Sequence, residues 1–74
     1  MSHQPQPAKN DQMQPLRKWL HDMNNRLGVV MATAELLQME QLTPKAADRT
    51  RTIEQKTVEL REILDQVAAH YFPD

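Results

Sequence analysis

Leu16, Leu20, Met23, Leu27, Val30, Ala34 and Leu37 follow one another in steps of four and three. After a short interruption Ala46, Thr50, Ile53, Thr57, Leu60, Leu64, Val67 and Tyr71 do the same. Only a helix gathers residues so spaced onto one side of a chain, and an unbroken seven-residue repeat is the pattern of helices that pack along their length. Trp19 and Met31 flank the first stripe and widen it, which suits a helix with more than one neighbour. The interruption is Glu40-Gln41-Leu42-Thr43-Pro44. Thr43 is suited to cap a helix N-terminus and Pro44 to occupy the first helical position, where its missing N–H has no partner to lose. So short a connection forces the two helices antiparallel. The expectation is an all-α hairpin, with helix 1 at about 14–41 beginning near Pro15 and helix 2 at about 44–71. Residues 1–12, MSHQPQPAKNDQ, lack apolar periodicity and are expected to be a disordered tail. The helical region is then 13–74.

Composition agrees with helices and sets the oligomeric expectation. The chain has one glycine and 4% aromatic residues, unlike a strand-rich protein. With 74 residues it buries too little apolar surface to be comfortably stable alone, and small folds make up the shortfall with disulfides, a metal or a second subunit. Cysteine is absent. Two helices cannot enclose both widened stripes, so a homodimer forming a four-helix bundle is expected; a monomeric hairpin and a longer coiled coil are the alternatives.

Several classes of function are disfavoured. Nine basic and ten acidic side chains leave a net charge of −1, which gives no electrostatic reason to expect nucleic acid or an anionic membrane. No apolar run approaches the roughly 18 residues of a membrane span, and no signal-peptide pattern opens the chain; the expected location is the cytoplasm. There is no glycine-rich phosphate loop and no serine–histidine–acid set, and His3, His21 and His70 are not at metal-ligand spacing. No metal or cofactor is expected. His3 belongs to the tail, and His70 falls in the last turn of helix 2, where a cation is favourable against the helix dipole.

One segment carries chemistry: Leu20-His21-Asp22-Met23-Asn24-Asn25-Arg26-Leu27. At about 100° per residue, and with Leu16 as zero, the stripe lies within about 60° while His21 falls near about 140°, on the open flank. Asn25 follows one turn later, then Gly28 and Ala32, so the surface beside the imidazole is small or polar. The one glycine costs roughly 1 kcal/mol relative to alanine inside a helix, and its position suggests a need for clearance. A neutral imidazole is a competent nucleophile near neutral pH. A carboxylate at Asp22 is placed in sequence to accept the other ring N–H and stabilise developing charge, and the Asn25 amide to hold a phosphoryl oxygen or orient a partner. Taken by residue type alone, an exposed helical histidine is more often an ordinary surface residue. In helix 2, Arg61 and Asp65 form an i,i+4 pair in the less favourable order. With the helices joined near residues 42–43, His21 is expected opposite residue 64, which makes Arg61 and Asp65 flank residues.

His21-Asp22-Met23-Asn24-Asn25-Arg26-Leu27, followed by Gly28-Val29-Val30 and Ala34-Glu35-Leu36-Leu37, resembles the H-box of sensor histidine kinases, in the variety H-D-x-N-N-x-L followed by E-L-L. The resemblance spans most of residues 15–72, with the second helix matching only in pattern and length. It implies a dimerisation and histidine-phosphotransfer domain: His21 as the phosphoacceptor, Asp22 as the assisting acid, and Asn25 as the polar residue bearing on phosphatase activity and ATP-domain engagement. Arg26 stands where many members carry proline, which implies an unkinked first helix here. These 74 residues leave no room for the ATP-binding domain. No autonomous kinase activity is expected, and two forms fit: a separate phosphotransfer protein in a phosphorelay, or a piece of a longer kinase. The implied partner is a response-regulator receiver, docking around His21, Arg26, Gly28, Val29 and Ala32 together with Arg61 and Asp65, and bringing the acceptor aspartate and its Mg²⁺. Two rival classes remain at this point: a non-catalytic helical dimer that regulates a histidine kinase or receiver by occupancy, and a purely structural dimerisation module.

Overall fold

A computed structural model describes residues 7–73 of the chain, with side chains from residue 13 onward. Two helices make it up, α1 over Pro7–Gln38 and α2 over Pro44–Tyr71. At about 1.5 Å per residue they are roughly 48 and 42 Å long. They pack side by side as an antiparallel hairpin, as the two stripes require.

The start of α2 follows from its capping residues. Thr43 is extended, at φ −64° and ψ 158°, and its Oγ1 accepts a hydrogen bond from the Ala46 N–H at 3.1 Å. Pro44 follows as the first helical residue. At the far end Phe72 closes the helix, its N–H donating to the Ala68 carbonyl at 2.7 Å.

Helix α1 departs from expectation at both ends. Residues 7–12 are helical rather than a tail; the rest of the expected tail, with His3, lies outside the described residues. Pro15 sits inside the helix and does not begin it. Proline inside a helix removes one backbone hydrogen bond and crowds the carbonyl four residues back, and the helix continues on its N-terminal side through residues 8–14, AKNDQMQ, which include good helix formers and no glycine. The C-terminal end comes earlier, at Gln38 rather than 41, where Met39 and Glu40 donate to the carbonyls three residues back, Leu36 and Leu37. Between these ends α1 runs through Arg26 without a break.

The hairpin's own core is thin. Leu20 and Ala34 of α1 and Thr50 and Thr57 of α2 are buried, at 6%, 4%, 2% and 3% exposure. The two threonines occupy core positions without an unpaired hydroxyl: Thr50 Oγ1 donates to the Ala46 carbonyl at 2.8 Å and Thr57 Oγ1 to the Ile53 carbonyl at 2.6 Å. The other half of each stripe stays open. Met23, Val30, Ile53, Leu60 and Tyr71 are exposed, and an apolar groove of about 220 Å³ runs between the helices, lined by Met23, Arg26, Leu27, Val30, Leu60 and Leu64. One hairpin therefore buries one side of its seam and presents the other.

Candidate functional site

Register comes first, because it sets what stands beside the histidine. The Arg17 guanidinium lies 4.1 Å over the centre of the Phe72 ring, and Leu27 shares the groove with both Leu60 and Leu64. His21, one turn along from Arg17, is therefore level with Ala68, one turn back from Phe72. The expected level at residue 64 is corrected by one turn. The five residues Met39–Thr43, ending in an extended Thr43, carry the chain past the end of α1 before α2 begins, which shifts the facing positions outward. Asp65 then lies within a turn of the histidine's level, and Arg61 is level with Gly28. Both are exposed. The ion pair expected between them does not form, in keeping with the unfavourable order of the charges.

His21 is exposed on α1. The Asn25 amide, one turn on, reaches it: Asn25 Nδ2 is 3.2 Å from His21 Nε2. An amide nitrogen can only donate, so in this amide orientation Nε2 is the acceptor, the role it has when the proton of the neutral imidazole is on Nδ1. These two residues are brought together as the sequence pattern implies.

Asp22 is not brought to the ring. Its carboxylate is 2.7 Å from Lys18 Nζ, and that hydrogen bond, aided by the charges of Lys18, Arg26 and, least, His21, holds the carboxyl below the usual carboxylate range. The expected hydrogen bond from the His21 ring to Asp22 is not made in this arrangement. The reason is geometric: consecutive helical residues point about 100° apart. Arg26 likewise turns away from the histidine flank. Its Nη1 donates to the Asp22 carbonyl at 3.2 Å, and with Trp19, Asp22 and Met23 it lines a hollow at the groove edge. Of the expected receiver-docking set, Arg26 belongs to the groove rim.

On the histidine's flank, a Cβ built on Gly28 meets nothing within 4 Å. Among the described residues no contact demands the glycine. Val29 and Ala32 are exposed, as are Leu36 and Met39, and Thr33 Oγ1 turns back to the Val29 carbonyl at 2.7 Å. Val29, Ala32, Leu36 and Met39 make a second stripe in steps of three and four, legible in the sequence once the first stripe is set aside. Lys18 was also legible, standing four residues before Asp22. His70 packs edge-on against Tyr71, ring centres 4.7 Å apart. Among the described residues no three His, Asp or Glu side chains gather as a metal-binding set, and no helix is long and apolar enough to cross a membrane.

Comparison with protein families, with curated proteins and with solved structures finds no match to this chain. The arrangement defines an all-helical hairpin with an exposed histidine–asparagine pair on one flank and an open apolar groove on another.

Proposed function

We propose that this chain is a histidine phosphotransfer module, with His21 accepting a phosphoryl group from, and returning it to, the aspartate of a receiver domain. The observation that carries the reading is the exposed His21 ring with its Nε2 3.2 Å from the Asn25 amide nitrogen. The Nε2 lone pair attacks the phosphorus of an aspartyl phosphate. The N–P bond forms as the P–O bond to the carboxylate breaks, the aspartate leaves as a carboxylate, and the proton on Nδ1 is lost to water to restore a neutral ring. The receiver's Mg²⁺ offsets charge on the phosphoryl oxygens. Asn25 releases the ring nitrogen as the phosphoryl group arrives and turns its N–H groups to the phosphoryl oxygens. Gly28, Val29 and Ala32, with Asp65 and Arg61 across the seam, form the surface a receiver approaches.

The reading includes a homodimer. A second copy of this chain is the occupant proposed for the groove between Met23, Leu27 and Val30 on α1 and Leu60 and Leu64 on α2. The supports are a half-buried seven-residue repeat on each helix and a core of one hairpin too small to be stable unaided. The same chemistry would serve a separate relay protein or part of a longer kinase.

A second reading, regulation of a kinase or receiver by occupancy alone, is favoured by one observation: Lys18 holds the acid that would assist the ring. The experiment that separates the two is incubation of the chain with phosphorylated receiver domains, following acid-labile phosphate on wild type and on His21→Gln. Transfer to wild type and none to the variant supports phosphotransfer; association without transfer supports occupancy.

A further inference from the structure

We infer that Asn25 is a positioning residue that selects the tautomer of His21, keeping the proton on Nδ1 and reserving Nε2 as the phosphoryl-accepting atom. This rests on the phosphotransfer reading of the same site.

The argument starts from the donor and acceptor inventory. A neutral imidazole has one N–H and one lone pair, and which nitrogen has which is set by the partner each one finds. In water a histidine side chain favours the proton on Nε2, the form in which Nε2 is no nucleophile. Among the described residues, the one side chain that reaches Nε2 is Asn25, through Nδ2 at 3.2 Å. The acid next in sequence is occupied with Lys18 and leaves Nδ1–H to solvent. The Asn25 amide therefore opposes the solution preference of the ring without a carboxylate. An asparagine is suited to this because its amide donates at Nε2 while adding no charge, so it does not favour the imidazolium, which has no lone pair at all. The spacing is equally specific: residues four apart on a helix stand one above the other on the same face, which is what lets a side chain as short as asparagine reach the far nitrogen of the ring.

The step this prepares balances without a base at Nε2. The lone pair forms the N–P bond, the donor carboxylate leaves, and the one proton to be shed afterwards is already on the opposite nitrogen, exposed to water. With the proton on Nε2 the attacking atom would first have to lose it, or attack would pass to Nδ1, the nitrogen nearer the backbone.

Aspartate at the same position inverts the device. A carboxylate only accepts, so Asn25→Asp draws the proton onto Nε2. The test is the tautomer of His21 read from its two ring ¹⁵N resonances in the full chain at a pH where the ring is neutral, alongside the rate of phosphoryl acceptance from a phosphorylated receiver. Wild type is expected in the Nδ1–H form, Asn25→Ala shifted toward the Nε2–H form, and Asn25→Asp fully in it, with acceptance falling in that order by several-fold at each step. Alanine is the better helix former, so an unchanged far-UV circular dichroism spectrum certifies the Ala variant. A wild-type ring with its proton on Nε2, or a tautomer indifferent to Asn25→Ala, overturns the inference. A wild-type ring in the Nδ1–H form that accepts no phosphate upholds the tautomer control and contradicts the phosphotransfer reading instead.

Discussion

Lys18 Nζ stands 2.7 Å from the Asp22 carboxylate, one turn earlier on the same helix, so the acid that follows His21 in sequence is engaged on a different side of α1 from the ring. The pair is solvent-exposed, and its consequence is a titration. Asp22 is held below the ordinary carboxylate range chiefly by the Lys18 hydrogen bond. Its folded-state value lies below its unfolded one, so whatever the pair contributes to stability is present above about pH 4, the unperturbed aspartate value, and is lost as pH falls through the lowered value. Removing the ammonium in Lys18→Met should return the Asp22 carboxyl upward, followed by its side-chain ¹³C resonance. An identical titration in wild type and variant would show that Lys18 is not the cause.

Gly28→Ala should stabilise the hairpin. A Cβ there meets nothing within 4 Å, and alanine in a helix interior is favoured over glycine by about 0.5–1 kcal/mol. Urea denaturation at fixed protein concentration reads this gain. If the glycine gives a receiver room to approach, the stabilised variant should also accept phosphate more slowly. A destabilised variant would mean that the open space beside Gly28 is filled in solution.

Thr43→Ala removes the acceptor of the Ala46 N–H and should cost about 1 kcal/mol, the usual worth of such a cap, again by urea denaturation. A loss much smaller than this would indicate that Pro44 alone is enough to start α2.

Leu60→Asp tests the groove. Leu60 is 49% exposed in one hairpin and lines the apolar floor. In a dimer built on that groove an aspartate there is buried without a partner and is strongly disfavoured. Sedimentation equilibrium should give about twice the chain mass of 8.6 kDa for wild type and one chain mass for the variant. Wild type sedimenting as a single chain at all concentrations contradicts the bundle.

The hairpin itself was legible because its signals are local and agree with one another. Two stripes in steps of four and three fix two helices, and Thr43-Pro44 marks where the second begins. What the sequence did not yield depends on competition or on length. Pro15 reads as a start because proline suits a first turn, yet α1 holds it in its interior, with one hydrogen bond missing and the preceding turn crowded. The facing level of His21 was off by one turn because register depends on how far the five-residue connection climbs, which no residue type encodes. At the site, Asn25 beside His21 follows from i,i+4 spacing and was readable. The separation of Asp22 and Arg26 from the histidine follows from the same helical angle, applied to steps of one and five.

The most direct measurement locates the phosphoryl group. After mixing with a phosphorylated receiver, the chain is digested at neutral to basic pH and the phosphopeptide is sequenced by mass spectrometry with electron-based fragmentation. The account predicts one acid-labile phosphoryl group on His21. A group on any other residue, or none from any receiver of the same cell, contradicts it.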